Sequence, residues 1–171
     1  MSSEEANEHY IEKRETSALS DGLTTVELRK IFTPAGERLE LKAPNVGRSI
    51  RLDAMELESL SWQEPETFIG FLAQELPGLP EDTEARAEFI REAAAEENGD
   101  ADVKKAVTVT NEFAEAAVRA LETDAGDRLE IEAPKLGHRT RLTPTGLETV
   151  TWQTTETFTE FLEKPFGPDG H

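Results

Sequence analysis

The sequence of 171 residues contains no cysteine. This absence excludes disulfide bonds, thiolate metal sites and a cysteine nucleophile. No apolar run approaches the roughly 18 residues that a membrane span requires. The opening stretch, MSSEEANEHYIEKRE, is too acidic and too polar for a secretory signal or an arginine-rich transit peptide. Together these absences predict a soluble protein of the cytoplasm that makes no membrane contact.

Basic residues are also scarce, because 36 aspartates and glutamates face only 18 lysines and arginines. The formal charge is −18, the isoelectric point is near 4.5, and 11 arginines exceed 7 lysines. The acids are not confined to the ends, since EDTEARAEFIREAAAEENGDAD occupies residues 81–102. At about 1 M salt the Debye length is roughly 3 Å, so this charge density is screened. The composition resembles that of cytoplasmic proteins of halophilic archaea; a mesophilic protein with acidic tails is the alternative.

The sequence contains an internal duplication at an offset of 90 residues. Residues 28–72 align with residues 118–162 without a gap, and 21 of the 45 pairs are identical. The shared pattern is G-x-R-L-E-x-x-A-P-x-x-G-x-x-x-R-L, followed by L-E-x-x-x-W-Q-x-x-E-T-F-x-x-F-L. A match of this length predicts two homologous structural units in tandem.

Each copy predicts an antiparallel β-meander. Apolar and polar residues alternate in RLELKA (residues 38–43) and in RLEIEA (residues 128–133), which is typical of half-buried strands. The stretch NEFAEAAVRALE, residues 111–122, has strong helix propensity, but its counterpart in the first copy is a strand. We predict a strand there too, because propensity is weak against tertiary context.

The segments 53–62 and 143–152 fit two interpretations. Thr143 and Pro144 could open a short helix, as N-cap and first helical residue. The alternative is a fourth strand ending at Trp62 or Trp152. We favour the strand, because Gly146 and the β-branched residues that follow it disfavour a helix.

A helix is predicted at the end of each copy, where Phe68, Phe71 and Leu72 have the i, i+3, i+4 spacing of one helical face. The predicted fold class is α+β, with two meander-plus-helix units of three to four strands and one helix each. We expect them to pack with pseudo-twofold symmetry, joined by a helical linker. The residues predicted to pack structurally at the junction of sheet and helix are Trp62, Phe68, Phe71, Trp152, Phe158 and Phe161.

The duplication also predicts the domain boundaries. The linker helix spans about residues 82–97, has an apolar stripe of Phe89, Ile90, Ala93 and Ala94, and ends at Asn98-Gly99. The predicted segments are a polar tail (1–22), repeat 1 (23–76), the linker (77–110), repeat 2 (111–165) and a second tail (166–171).

Motifs of catalysis are missing from the sequence. It contains no P-loop, G-x-G-x-x-G, G-x-S-x-G or H-E-x-x-H pattern. His9 and His171 lie in the predicted tails, and the counterpart of His138 in the first copy is Arg48, which suggests a cationic loop residue. We therefore predict a protein that is not an enzyme, with no catalytic residue, no metal site and no cofactor.

The basic residues cluster in the predicted strands. Residues 28–51 carry six bases and two acids, and residues 118–141 carry five of each, so the remaining 123 residues carry a net charge of −22. Glu40 and Glu130 recur beside arginines and predict cross-strand ion pairs. The arginines that recur at matched positions form a candidate interaction face: Arg29, Arg38, Arg51, Arg119, Arg128 and Arg141.

Two functions fit this face. The first is a non-catalytic interaction or structural module, acting through a protein partner or through self-association, because arginine is enriched in protein interfaces. The second is a nucleic-acid-associated regulator. A meander plus a helix, used as a pair, resembles the PC4-like single-strand-binding coactivators, and this resemblance implies single-stranded nucleic acid as the ligand. Aromatic residues for base stacking are nearly absent from the strands, and phosphate contacts weaken with salt.

Overall fold

The duplicated sequence forms two four-stranded antiparallel sheets. The computed structural model describes residues 16–95 and 99–163. In each sheet the strands follow one another in chain order, so each copy is a meander, and the predicted α+β fold with two similar units is confirmed. The first sheet contains β1 (Ser17–Ser20), β2 (Thr25–Thr33), β3 (Gly36–Ala43) and β4 (Arg48–Leu52). The second contains β5 (Ala101–Thr110), β6 (Glu115–Thr123), β7 (Gly126–Ala133) and β8 (His138–Leu142).

The first strand of each sheet lies outside the segments predicted for the repeats. β1 falls within the predicted tail and β5 within the predicted linker. In the loops that follow these strands, one side chain accepts hydrogen bonds from two backbone amides. Asp21 Oδ1 accepts from the amides of residues 23 and 24 at 3.0 and 2.9 Å, and Asn111 Oδ1 accepts from residues 113 and 114 at 2.8 Å each. An Asx turn of this kind reverses the chain within a few residues.

Helices replace the favoured strand in segments 53–62 and 143–152, so the preference for a strand was wrong. Helix α1 (Ala54–Ser61) begins at a capping box, in which the Glu56 amide donates to Asp53 Oδ1 at 2.8 Å and the Asp53 amide donates to Glu56 Oε1 at 2.9 Å. These bonds satisfy backbone donors that a helix start leaves open. The other helices are α2 (Pro65–Phe71), α3 (Thr83–Ala94), α4 (Pro144–Val150) and α5 (Thr155–Glu163).

Two helices therefore follow each sheet, where the sequence predicted one, and α3 lies in the predicted linker. At the start of α4, the hydroxyl of Thr143 accepts from the Gly146 amide at 2.9 Å, as the alternative interpretation proposed. None of the described helices is both long and apolar enough to cross a membrane.

The two units exchange helices across a shared core. Helix α1 packs on β6 and β7 of the second sheet, whereas α4 packs on β2 and β3 of the first. Leu57, Leu60, Leu147 and Val150 from these helices are fully buried and belong to one continuous apolar cluster with the inner faces of both sheets. Each sheet thus covers its apolar face with a helix from the other copy.

The predicted packing residues occupy different environments. Phe68 and Phe158 are almost completely buried, and Phe71 stacks on Phe161 with ring centroids 6.2 Å apart. Trp152 is buried, whereas Trp62 is half-buried.

Helix α3 lies within the segment predicted as a linker helix. Ile90 and Ala93 are buried as expected, but Phe89 and Ala94 are only half-buried, and the buried stripe includes Arg86 and Ala87. The predicted stop at Asn98 and the ends of both tails lie outside the described residues.

Candidate interaction surface

In the first sheet, one glutamate joins two recurring arginines across neighbouring strands. The β2–β3–β4 register places Arg29, Glu40 and Arg51 side by side. Arg29 Nε donates to Glu40 Oε1 at 2.7 Å, and Arg51 Nε donates to Glu40 Oε2 at 3.0 Å. Because residues alternate along a strand, this row lies on the face opposite the buried Leu39 and Leu41. The predicted cross-strand ion pair is therefore present, and it joins three strands.

The second sheet contains the same row, formed by Arg119, Glu130 and Arg141. Arg119 Nη1 donates to Glu130 Oε1 at 3.0 Å, and Arg141 Nε donates to Glu130 Oε2 at 3.1 Å. Arg119 Nη1 also donates to Glu132 Oε1 at 3.0 Å, so one guanidinium binds two carboxylates. We call these two rows the Arg–Glu–Arg triads.

The central carboxylate of the first triad is ionised at neutral pH. Burial on its own would raise the pKa of Glu40, but the hydrogen bonds and positive charges of Arg29 and Arg51 outweigh burial and lower it. In the second triad, the hydrogen bond to Glu132 raises the pKa of the Arg119 guanidinium. The Glu40 carboxylate therefore keeps its negative charge, and in both triads charge-assisted hydrogen bonds join neighbouring strands.

Exposure differs widely among the six predicted arginines. Arg51 exposes 47% of its side chain and Arg119 exposes 32%, whereas Arg29 and Arg141 are mostly covered. Arg128 is only 4% exposed. Arg38 is half-buried. The predicted face is thus most open at Arg51 and, among the triad arginines, next most open at Arg119.

Arg38 and Arg128 lie over the turns that join β2 to β3 and β6 to β7. Their Nη1 atoms donate to the carbonyls of residues 37 and 127 at 2.8 Å. A Cβ on Gly36 or Gly126 would lie 3.5 or 3.4 Å from the same guanidinium, and both glycines have positive φ, +124° and +129°. Glycine at these turns therefore meets the backbone requirement and leaves room for the arginine.

A buried polar network that the sequence did not predict lies where α3 meets the two units. Arg86 Nη1 donates to Glu148 Oε1 at 3.0 Å and to Thr24 Oγ1 at 2.9 Å, and its Nε donates to Asp82 Oδ1 at 2.7 Å. Glu148 belongs to the repeated Leu-Glu pair, but Arg86 belongs to the linker and has no counterpart in the duplication. The repeated pattern of the sequence therefore contains no sign of this network.

The two carboxyl groups that bind Arg86 have pKa values shifted in opposite directions. Burial raises the pKa of Glu148, the charge of Arg86 opposes that rise, and the nearby Asp21 and Asp82 add to it. The hydrogen bond from Arg86 lowers the pKa of Asp82. The Glu148 carboxylate is only 1% exposed. The positive charge of Arg86 therefore offsets part of the cost of burying it in the core.

A groove lies where the end of α1 meets β8. Trp62 and His138 pack edge to face with ring centroids 6.2 Å apart, and Arg139, 55% exposed, lies beside them. The groove has a volume of about 330 Å³. We call it the Trp62 groove; its lining is Ser61, Trp62, Gln63, Glu64, Pro65, His138, Arg139 and Thr140.

Within residues 16–95 and 99–163, no group of three or more histidines, aspartates and glutamates is placed to hold a metal ion. His9 and His171 lie outside the described residues. Comparison of the chain with models of known protein families and with curated proteins finds no match.

Proposed function

We propose that this protein is a non-catalytic interaction module of a high-salt cytoplasm and that it contacts a protein partner through the open ends of its two Arg–Glu–Arg triads. The observation that carries this proposal is the double contact of Arg119, whose guanidinium binds Glu130 and Glu132 at 3.0 Å each. Arg51 shares Glu40 with Arg29 and keeps nearly half of its side chain exposed. It therefore has donors to offer to a carboxylate of a partner.

A protein partner fits these arginines better than nucleic acid does. Each triad already contains a buried carboxylate, which offsets part of the positive charge that a phosphate would need. Phosphate contacts also lose affinity steeply as salt rises, because binding depends on counterion release. A planar arginine–carboxylate contact adds fixed hydrogen-bond geometry to the charge attraction, and it suits an acidic protein surface.

The nucleic-acid alternative has one favourable observation. The strand faces that carry the triads are net cationic on a chain of net charge −18: the first has four cationic and two anionic side chains, a net charge of +2, and the second has four cationic and three anionic side chains, a net charge of +1. The experiment must therefore separate the two functions directly.

The test compares the wild-type chain with the double variant Arg51→Gln/Arg119→Gln. Glutamine removes the charge at both exposed positions without placing an acid beside Glu40 or Glu130. The wild-type chain and the double variant are each used as bait in an extract of a halophilic archaeon at about 2 M KCl, and bound proteins are quantified by mass spectrometry. We expect the wild type to enrich a defined partner protein. The double variant should capture at least about five-sixths less of that partner, which corresponds to a loss of about 1 kcal/mol of binding free energy.

Arg91→Gln is the matched control, because Arg91 is similarly exposed but lies on α3 away from the triads. In parallel, labelled single-stranded and duplex DNA of about 20 nucleotides are titrated at about 0.2 M and about 2 M salt. DNA binding that survives at the higher salt and disappears in the double variant would favour the nucleic-acid function and overturn the proposal.

A further inference from the structure

Two hydrogen-bond donors are buried, one at the start of β4 and one after α4. Among the residues that the structure describes, nothing accepts from Arg48 Nε or from Trp152 Nε1, although both atoms are closed to solvent. Arg48 is the first residue of β4, and Trp152 follows the end of α4. Burial removes the hydration of a donor, so a donor that gains no acceptor costs free energy. Together the two atoms indicate a bound acceptor.

The duplication places these two donors beside each other. Arg48 and Trp152 are the equivalents of His138 and Trp62, which pack edge to face with ring centroids 6.2 Å apart. Homologous units keep the same packing of their elements, so the start of β4 lies against the end of α4. Alternation along β4 also puts Arg48 on the same strand face as the buried Leu52, towards the core.

One short segment of the chain binds beside both donors. Arg48 Nη2 donates to the carbonyl of Pro77 at 2.9 Å. Gln153, which follows Trp152, donates from Nε2 to Gln74 Oε1 at 2.7 Å. The two acceptors belong to the loop between α2 and α3, and three residues of extended chain span at most about 11 Å. The guanidinium and the indole therefore border one space, which we call the Arg48–Trp152 cleft.

Arg48 differs from the triad arginines in its contacts. Each triad arginine binds a glutamate, whereas Arg48 donates to a backbone carbonyl and forms no ion pair with any residue in the described part of the chain. The one acid of the covering segment, Glu75, is exposed. A guanidinium stays protonated at every pH at which the protein is folded. The cleft therefore carries a positive charge that the 36 acids of the chain do not pair with directly.

The chemistry of the two donors favours an anion over water. A buried water makes about three hydrogen bonds and needs acceptors for its own hydrogens, whereas both groups that border the cleft donate. An anion has no hydrogens to satisfy, and it offsets the cost of burying part of a guanidinium. Carboxylate and phosphate have several oxygens and need more donors than two. Chloride carries one charge on one atom and matches the pair.

From these observations we infer that the Arg48–Trp152 cleft binds a chloride ion between Arg48 Nε and Trp152 Nε1. The ion accepts one hydrogen bond from each donor. Since Arg48 also holds the carbonyl of Pro77, the bound ion fixes the loop between α2 and α3 against the end of α4. This site is separate from the proposed protein contact, because Arg51 and Arg119 take no part in it.

The first measurement is an amide NMR spectrum of the ¹⁵N-labelled full chain. The chain has two tryptophans, so the spectrum contains two indole signals, which Trp62→Phe assigns. Potassium chloride replaces potassium gluconate at a constant total of about 2 M, so that charge screening stays equal and only the anion changes. We expect the Trp152 signal to move along a saturating curve that is half complete below about 0.5 M chloride, since a ligand of the folded state must be bound at the working concentration. The Trp62 signal should show no saturating shift.

The second measurement is thermal unfolding in the same two salts. A ligand that binds only the folded state raises Tm, so the difference in Tm between chloride and gluconate should be at least about 3 °C more positive for the wild type than for a chain without the site. Arg48→Gln removes the charge, and Trp152→Phe removes the indole donor but keeps an aromatic ring. Both variants should lose this gain.

Two variants serve as matched controls. Lys42→Gln removes an exposed cation from β3, opposite Ser49, and Trp62→Phe removes the other indole. Both should keep the wild-type difference between the salts. Because each variant is compared with itself in chloride and in gluconate, the general effect of either salt on stability cancels.

A measurement on the wild type keeps the inference testable if the variants do not fold. A crystal grown with bromide in place of chloride should give an anomalous-scattering peak within hydrogen-bond distance of both donors. Density there without anomalous scattering would identify a water and overturn the inference. A bromide peak without a Trp152 shift would mean an adventitious ion only. Equal salt differences for Arg48→Gln and Lys42→Gln would also contradict the site, and none of these outcomes bears on partner capture through Arg51 and Arg119.

Discussion

Arg86 brings together parts of the protein that are distant in the sequence. Its guanidinium binds Asp82 just before its own helix, Thr24 after β1 and Glu148 on α4, and Arg86 and Glu148 are both almost completely buried. A buried ion pair adds little net stability, because two charges lose their hydration. Loss of one partner is costly, because the remaining charge stays buried. We therefore expect the effect of Arg86 on the free energy of unfolding to be large when the side chain is substituted.

We predict that Arg86→Met lowers the free energy of unfolding by about 3 kcal/mol near pH 7, the range seen when a buried pair loses one partner. The loss should be smaller near pH 5. The pKa of Glu148 is already raised by burial, and removal of the Arg86 charge raises it further. A carboxyl whose folded pKa lies above its unfolded value contributes less stability as pH rises through that interval, so protonation of Glu148 at the lower pH relieves the variant. Urea denaturation at the two pH values measures the difference.

Arg91→Met is the control for this prediction, because Arg91 lies on the same helix with 46% of its side chain exposed. Its contacts with Glu66 and Glu88, at 3.6 and 3.7 Å, are surface ion pairs and contribute less than about 1 kcal/mol. An equal effect of the two substitutions, or an Arg86→Met effect that does not change with pH, would contradict the role assigned to the Arg86–Glu148 pair.

At the scale of secondary structure, the duplication was a better guide than local propensity for the strands. Residues 111–122 have the composition of a helix, yet β6 runs from Glu115 to Thr123 and pairs with β5 and β7. Ala116, Val118 and Ala120 alternate as its buried face. The counterpart in the first copy carried this information, because homologous segments share a fold even when their propensities differ.

Helix α4 was predicted wrongly because local preference and packing disagree there. Gly146, Thr149 and Val150 disfavour a helix, but every residue from Pro144 to Val150 is buried. A backbone that is buried away from a sheet edge must satisfy its own hydrogen bonds, and a helix does so within the segment. The cap formed by Thr143 before Pro144 was visible in the sequence and was the correct signal.

The candidate site also has one part that the sequence predicts and another part that it does not. The Arg–Glu–Arg triads could be predicted, because strand register and a repeated pattern place those residues side by side. The Arg86 network could not, since Arg86 is 62 residues from Thr24 and 62 from Glu148. The exposure of each arginine was also beyond the sequence, because burial of Arg128 depends on the tertiary arrangement around it.

The capping box of α1 provides a prediction at this scale. We expect Asp53→Ala to lower the free energy of unfolding by about 1 kcal/mol, because the Glu56 amide loses its acceptor. The urea midpoint should fall with no change in the denaturant slope, since the surface exposed on unfolding stays the same. Asp102→Ala, at an exposed position on β5, is the control and should change stability by less than about 0.5 kcal/mol. Equal midpoints for the two variants would mean that burial, and not the cap, holds the start of α1.

At the scale of the whole molecule, the exchange of α1 and α4 makes the two copies dependent on each other. The sheet of each copy buries its apolar face beneath a helix of the other copy, and one apolar cluster joins both. Ser20 and Thr110, at equivalent positions, donate their amides across the boundary to Asp127 and Glu37, at 2.9 and 3.0 Å. A unit of this size buries only a marginal core on its own, without a disulfide to support it. We therefore expect the two copies to fold as one cooperative unit.

This arrangement predicts complementation between two fragments cut between α3 and β5, residues 1–97 and 98–171. Each fragment retains one tryptophan, Trp62 or Trp152, which reports on its own folding. Alone, neither should show near-ultraviolet circular dichroism or cooperative unfolding, because each sheet lacks the helix that covers it. An equimolar mixture should recover both signals, because each helix again packs on the sheet that it covers.

The control replaces Leu147, fully buried on α4, with aspartate in the second fragment. This mixture should stay unfolded, since an unpaired carboxylate cannot enter the core. Cooperative unfolding by either fragment alone would show that the copies fold independently and that helix exchange does not couple them.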